Sequence, residues 1–196
     1  MGNKRIMKRF EILNYLIDKY KYKDYLEIGV QRGECFRNIT AENKTGVDPD
    51  WNSPATICMT SDDFFRSNTY TYDLIFIDGL HHADQVYKDI QNAIEVLNPG
   101  GTIMCHDMLP TSKEAQTIPL TNQSTWMGNC WEAWVKLRQE LTNFSMVVIN
   151  TDCGCGIIRE GTNELLNIEG EVNYEGFVKN ALEWMNVIST SELVNV

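Results

Sequence analysis

The chain has 196 residues, enough for one domain of ordinary size and too few for two. Hydrophobic residues make up 43% and charged residues 22%, the proportions of a chain that folds around a core, which excludes a disordered or low-complexity scaffold. Lys and Arg number 17 against 27 Asp and Glu, and the resulting net charge of -10 repels a phosphate backbone and sets nucleic acid aside as a partner.

Ile6, Phe10, Leu13, Ile17 and Tyr20 recur at steps of three and four, which predicts an amphipathic helix within residues 1–24. Glu11, Asn14 and Asp18 interrupt the continuous apolar core that a signal peptide requires, and no apolar run reaches the roughly 18–20 residues of a membrane helix. A cytoplasmic chain without a membrane partner is expected. Tyr25 to Ile28 then reads as a short strand ended by Gly29, and Gly33 precedes a helix that starts at Glu34. Thr45 to Asp48 is a second strand stopped by Pro49, Ala55 to Met59 a third, and Tyr72 to Ile77 a nearly continuous apolar strand of the kind covered on both faces.

Asp84 to Leu97 carries helical spacing through Val86, Ile90, Ala93 and Ile94, and Asn98-Pro99-Gly100-Gly101 breaks it before a strand resumes at Thr102 to Cys105. Strand and helix alternate, so the expected fold is an α/β, Rossmann-like open sheet, mostly parallel, with helices on both faces. Residues 108–129 lose all periodicity and are longer than an ordinary connection, which marks them as a substrate lid. A helix over Cys130 to Leu141 places Trp131, Trp134, Val135 and Leu137 at apolar positions, with Trp134 docking it on the sheet. Ser145 to Ile149 and Cys155 to Arg159 form a hairpin that makes the last strand antiparallel, and Tyr174 to Ile188 is a final helix with Phe177, Ala181, Leu182 and Met185 inward. No linker or repeat divides the 196 residues, so they form one domain. None of the six cysteines forms a C-x-x-C pair, so reduced thiols are expected; Cys153 and Cys155 would pack side by side on a strand.

Ligands of open parallel sheets bind beyond the carboxyl ends of the strands, where strand order reverses. Glu27, Asp48, Asp78 and Asp107 all follow strands, and four carboxylates at one edge imply something that neutralises or satisfies them. Glu27-x-Gly29-x-x-x-Gly33 lets backbone approach a ligand but lacks the G-x-G-x-x-G spacing that cradles a pyrophosphate. Asp48 lies 21 residues after Glu27, near the spacing at which an acidic residue meets ribose hydroxyls, so a nucleoside-bearing cofactor is expected.

Tyr25 to Gly33, Gly46-Val47-Asp48-Pro49, Ile77-Asp78-Gly79-Leu80-His81 and Leu97 to Gly101 with His106-Asp107 together resemble the class I S-adenosylmethionine-dependent methyltransferases, over about residues 24–160. Asp78-Gly79-x-His81 followed by Asp89 and His106-Asp107 resembles the branch that holds sugar and macrolide O-methyltransferases. The resemblance implies that Glu27, Gly29, Gln31 and Gly33 lie along the methionine end of the cofactor, that Asp48 holds the ribose, that Ser61 and Asp62 border the adenine, and that Asp78 also faces the cofactor. Gln31 stands where the family has its middle glycine. In that branch the residue matching His81 is the general base, an imidazole available in neutral form near neutral pH, with Asp107 beside it and His82 as the competing ring.

Metal-dependent relatives place a divalent ion on residues matching Asp78 and Asp107, and Mg²⁺ is the ion such oxygen ligands would take. Met108 occupies the position of a third ligand. His106 is expected to pack rather than ligate, and Trp126 is the aromatic ring positioned for a substrate contact or an interface. The expected activity is O-methylation of a small polar acceptor such as a sugar or glycosylated metabolite, and a second copy of the chain is the other admissible partner. Two readings stand beside it: a nicotinamide-dependent oxidoreductase, disfavoured by the glycine spacing, and a non-catalytic cofactor-binding protein, disfavoured by His81 and Asp107.

Overall fold

In a computed structural model that describes residues 6–120 and 126–196, eight strands form a single sheet. The strands are β1 (Asp24–Ile28), β2 (Asn43–Asp48), β3 (Ile57–Cys58), β4 (Tyr72–Ile77), β5 (Leu97–Cys105), β6 (Phe144–Ile149), β7 (Cys155–Glu160) and β8 (Val187–Ile188). Their spatial order is β3-β2-β1-β4-β5-β7-β6-β8. From β3 to β5 every pairing is parallel, and β7 runs antiparallel to both β5 and β6. The chain leaves β1 outward to β3 and returns to β4 on the other side of β1. Strand order therefore reverses between β1 and β4, where a crevice opens at the carboxyl ends.

The period-2 alternation of β4 divides the core. Ile75 and Ile77 face one layer with Leu26 and Ile103, under α4 (Ala83–Glu95), α5 (Cys130–Glu140) and α6 (Tyr174–Trp184). Leu74 and Phe76 face the other with Tyr25 and Met104, under α1 (Arg9–Tyr20) and α2 (Glu34–Asn38). Trp131 and Trp134 of α5 are both fully buried, so this helix docks through its aromatic face as expected. The short α3 (Ser61–Ser67) begins on Thr60, whose hydroxyl accepts the Asp63 amide.

Several boundaries differ from the sequence reading. The first helix starts at Arg9, leaves Ile6 68% exposed ahead of it, and buries Ile12, Leu13, Leu16 and Ile17; the core reads two adjacent rows rather than the single predicted row. Leu97 to Gly101 belong to β5 instead of ending α4 and forming a turn, because a register shift beside β4 accommodates the proline and glycines in an irregular strand start. The last helix stops at Trp184, Leu182 points outward at 74% exposure, and Val187–Ile188 add an edge strand parallel to β6. Cys153 sits in the β6–β7 turn at φ 64° rather than on the strand with Cys155, and all six thiols are free. Among the described residues no helix is long and apolar enough to cross a membrane.

Candidate active site

At the switch point between β1 and β4 lies a cleft of about 920 Å³ whose lining includes Glu27, Gly29, Gln31, Asp48, Ser61, Asp62, Asp78, His81 and Asp107. These are the sequence-predicted site residues with one exception. Gly33 lies outside the lining and caps the amino end of α2 with φ 74°.

The loop after β1 is shaped by close backbone packing. Gly29 has φ +88°, and a Cβ placed there would stand 2.2 Å from the carbonyl oxygen of Asp78, so only glycine lets β1 and β4 end side by side. Gln31 takes φ 49°, the left-handed conformation a glycine would adopt without strain, and its amide donates to Asp48 Oδ2 at 2.7 Å. The missing middle glycine thus leaves the turn intact because the Asp48 carboxylate holds it. Asp48 Oδ1 in turn accepts the Asp50 amide at 2.8 Å, and each carboxylate oxygen keeps a second lone pair for a ligand.

Glu27, next to last in β1, is only 1% exposed and accepts the Tyr25 hydroxyl at 2.5 Å. Burial pushes its pKa up to about 7 against the pull of that hydroxyl, and the charge of Asp78 adds to the rise. At the far end of the cleft Gln85 Nε2 lies 3.2 Å from Ser61 Oγ, 3.1 Å from Asp62 Oδ1 and 3.0 Å from Asp89 Oδ1, which ties α3 to α4. Asp89 is buried and its pKa rises to about 6 from desolvation.

Three carboxylates, two histidines and an arginine meet at the opposite end. His81 Nε2 lies 3.3 Å from Asp78 Oδ1 and its Nδ1 lies 3.2 Å from Asp107 Oδ2, although Nδ1 is buried without an aligned hydrogen bond. Asp107 follows β5 at φ 59°, and this left-handed turn, tolerated by aspartate, sets its carboxylate beside both rings. His106 Nδ1 sits 3.1 Å from Asp107 Oδ1 and 3.4 Å from Asp78 Oδ1, while Nε2 lies 2.7 Å from the Asp152 carbonyl oxygen.

Arg9, from the first turn of α1, donates through Nη1 to Asp78 Oδ2 at 2.7 Å and through Nε to Asp152 Oδ2 at 3.1 Å. Burial disfavours the charged form of His106, yet Asp78 and Asp107 outweigh it and push its pKa up to about 10. Arg9 Nη1 is also 3.1 Å from His106 Nδ1; when that ring is protonated the two cations share the oxygens of Asp78 instead of bonding each other. Burial likewise disfavours the Asp78 carboxylate, but His106, His81 and Arg9 hold it well below the usual carboxylate range. For His81, burial lowers the pKa and Asp78, then Asp107, overcome it, leaving the imidazole above its ordinary value of about 6.5.

His82 takes no place in the cleft lining. It is the N-cap residue of α4 and makes no side-chain cap bond. Trp126 stacks on His81 with ring centroids 5.2 Å apart and 19° between planes, and its Nε1 donates to the Thr117 carbonyl. Leu80 and Leu120 line the same end, 53% and 44% exposed. Part of the predicted lid, residues 121–125, lies outside the described residues.

Asp78, His81 and Asp107 each offer a ligand atom within 4.8 Å of the others. This donor set does not fit the Mg²⁺ expected of Asp78 and Asp107. Mg²⁺ demands near-octahedral oxygen coordination, whereas here an imidazole is the third donor, Met108 is a buried apolar residue, and Asp78 Oδ2 is already ion-paired to Arg9.

Residues 52–108 match the sequence family described as Methyltransferase domain. The match covers less than a third of the chain. No curated protein sequence matches it. Among solved structures, the domain resembles a Staphylococcus aureus protein provisionally assigned as a caffeoyl-CoA O-methyltransferase, at 17% identity and TM-score 0.58, over 80% of this chain and 86% of that one. It also resembles an O-methyltransferase from Bacillus cereus in complex with SAH, at 13% identity and TM-score 0.57, over 78% and 80% of the two chains. A third likeness is to the Streptomyces achromogenes O-methyltransferase involved in tomaymycin synthesis, in complex with SAM, at 14% identity and TM-score 0.53, over 78% and 79%. These likenesses show the fold, a Rossmann-like sheet that is mostly parallel, with β7 antiparallel to its two neighbours.

Arg9 and Asp152 are the site residues the sequence reading missed, and His106 is more than the packing residue expected. Arg9 is separated from Asp78 by 69 positions, and nothing in the helical period of α1 distinguishes it from a solvated arginine. For Asp152 a signal existed, since an aspartate in a tight hairpin turn also stands at the carboxyl edge.

Proposed function

We propose that the chain transfers the methyl group of S-adenosylmethionine to a hydroxyl oxygen of a small polar acceptor, a sugar or glycosylated metabolite, with His81 as general base. The observation that carries the reading is the cleft itself: acidic residues and closely approaching backbone at one end and a partly buried histidine between two carboxylates at the other, joined in one volume at the switch point. When bound, S-adenosylmethionine supplies an electrophilic methyl on a positively charged sulfur, and the acidic lining suits both that charge and the ammonium of its methionine end. Glu27, Gly29 and Gln31 would take the methionine portion, Asp48 the ribose through its remaining lone pairs, and Ser61 with Asp62 the adenine.

His81 must accept the acceptor's proton as oxygen attacks. Its Nε2 faces Asp78 and its Nδ1 faces Asp107, and the two carboxylates stabilise the imidazolium that forms once the ring has taken the proton. Trp126 holds the ring by stacking and extends, with Leu80 and Leu120, as an apolar wall against which a flat acceptor face would lie. The described parts of the predicted lid, residues 108–120 and 126–129, would lie over the bound acceptor, and a soluble small molecule is the expected partner.

The apolar wall favours one second reading, an aromatic alcohol as acceptor. A panel of sugars, glycosylated alcohols and phenols incubated with methyl-labelled donor separates the two: label in the sugars supports the first, label confined to phenols the second, and label in neither with S-adenosylhomocysteine bound points to a non-catalytic role. With any acceptor found, kcat/KM should rise with pH through a midpoint above 6.5. His81 is active only when neutral, and its neighbouring carboxylates hold the proton to higher pH than in a free histidine. A midpoint at or below 6.5, or a flat profile, would remove His81 as the base.

A further inference from the structure

The acidic end of the cleft carries a cation that belongs to the chain. Asp78, Asp107 and Asp152 bring three carboxylates together, and in related chemistry such a group is balanced by a divalent ion. Here the Arg9 guanidinium spans two of them, with Nη1 on Asp78 Oδ2 at 2.7 Å and Nε on Asp152 Oδ2 at 3.1 Å. A guanidinium does not release its proton in a protein, so this positive charge is permanent.

Its placement is fixed by more than the ion pairs. The Arg9 amide donates to the same Asp152 oxygen at 2.7 Å, and the Thr151 hydroxyl donates to the Met7 carbonyl at 2.8 Å, so the first turn of α1 is fastened to the β6–β7 turn. Asp152 and Cys153 both adopt left-handed backbone there, which turns the Asp152 carboxylate toward α1. We propose that Arg9 is the resident counter-cation of the acidic cluster and keeps divalent metal off Asp78 and Asp107. A divalent ion on Asp78 would have to displace the guanidinium from Oδ2 or sit beside a like charge. The consequence, metal-free methyl transfer, rests on the function proposed above; the exclusion of metal does not, and it is tested without donor or acceptor.

The probe is Mn²⁺, followed by the loss of its free electron paramagnetic resonance signal on titration with the full-length protein at neutral pH. Mn²⁺ accepts both carboxylate and imidazole ligands and so reads the Asp78, His81 and Asp107 set without the strict oxygen preference of Mg²⁺. The wild-type protein should bind Mn²⁺ weakly at most. Arg9→Gln should bind one equivalent at least about tenfold more tightly, and Asp107→Asn added to Arg9→Gln should return affinity to the wild-type level. A purely structural role for Arg9 would not produce a gain that Asp107 controls.

Thermal unfolding establishes that each variant is folded. If Arg9→Gln is not, Arg9→Lys takes its place, since a lysine cannot bridge both carboxylates and should show the same gain in smaller measure. Two results overturn the proposal: one tight Mn²⁺ on the wild-type protein that Asp107→Asn abolishes, or folded Arg9 variants whose Mn²⁺ affinity equals that of the wild type.

Discussion

Replacing His81 with alanine is expected to lower kcat by about 10²- to 10⁴-fold, the usual contribution of a positioned general base, while S-adenosylhomocysteine affinity stays near the wild-type value. The split follows from where the ring sits. His81 lies between Asp78 and Asp107 and under Trp126, whereas the proposed methionine, ribose and adenine contacts come from β1, β2 and α3. Removing the ring leaves two carboxylates without their imidazole, so His81→Gln, which keeps polar atoms there, serves as the folded control and should lose turnover similarly. His82→Ala should retain activity, because that side chain neither lines the cleft nor bonds the helix it caps. Steady-state kinetics on the three variants decides it. Activity that survives in His81→Ala and falls in His82→Ala would reverse the assignment of the base.

The second large effect is expected at a residue with no side chain. Gly29→Ala places a Cβ at 2.2 Å from the Asp78 carbonyl oxygen and 2.5 Å from the Gly79 Cα, and both obstacles are backbone that cannot rotate away. Left-handed backbone costs an alanine roughly 1–2 kcal/mol, and overpacking adds about 1–3 kcal/mol more. Together these reach a substantial part of the roughly 5–15 kcal/mol that stabilises a domain. Gly100→Ala isolates the backbone contribution, since Gly100 has φ +76° but nothing within 4 Å of the added carbon. Urea denaturation should therefore show Gly29→Ala less stable than Gly100→Ala by at least about 1 kcal/mol. Equal losses would mean that β1 and β4 part without cost and that the close approach does not shape the site.

The fold was legible because its strands are short, apolar and punctuated. Tyr72 to Ile77 could hardly be anything but a strand covered on both faces, and Asp78-Gly79 marks its end within a residue. Local pattern misplaced the ends of elements instead. Leu97 continues the apolar spacing of α4, so periodicity assigned it to the helix, whereas its pairing with Tyr72 makes it part of β5. Leu182 fits the inward row of α6 by spacing and still faces outward, because burial there is decided by the packing of Trp184 and Phe177 around Trp131.

In the site, the carboxylates were legible because each stands at or just beyond the carboxyl end of a strand, and parallel topology carries every such position to one edge. What balances them was not. The sequence suggested a divalent ion for Asp78 and Asp107, while the chain supplies a guanidinium from a helix that no motif connects with either residue. Gln31 is the converse case: it departs from the glycine pattern, yet the turn survives because Asp48 accepts its amide.

Calorimetric titration with S-adenosylhomocysteine tests the central claim most directly, because it requires no knowledge of the acceptor. One equivalent should bind to the wild-type protein and to His81→Ala, binding should weaken sharply in Asp48→Ala, and NADH should bind more weakly than S-adenosylhomocysteine. No heat with S-adenosylhomocysteine, or tighter binding of NADH, would contradict the assignment of this cleft to a methyl donor.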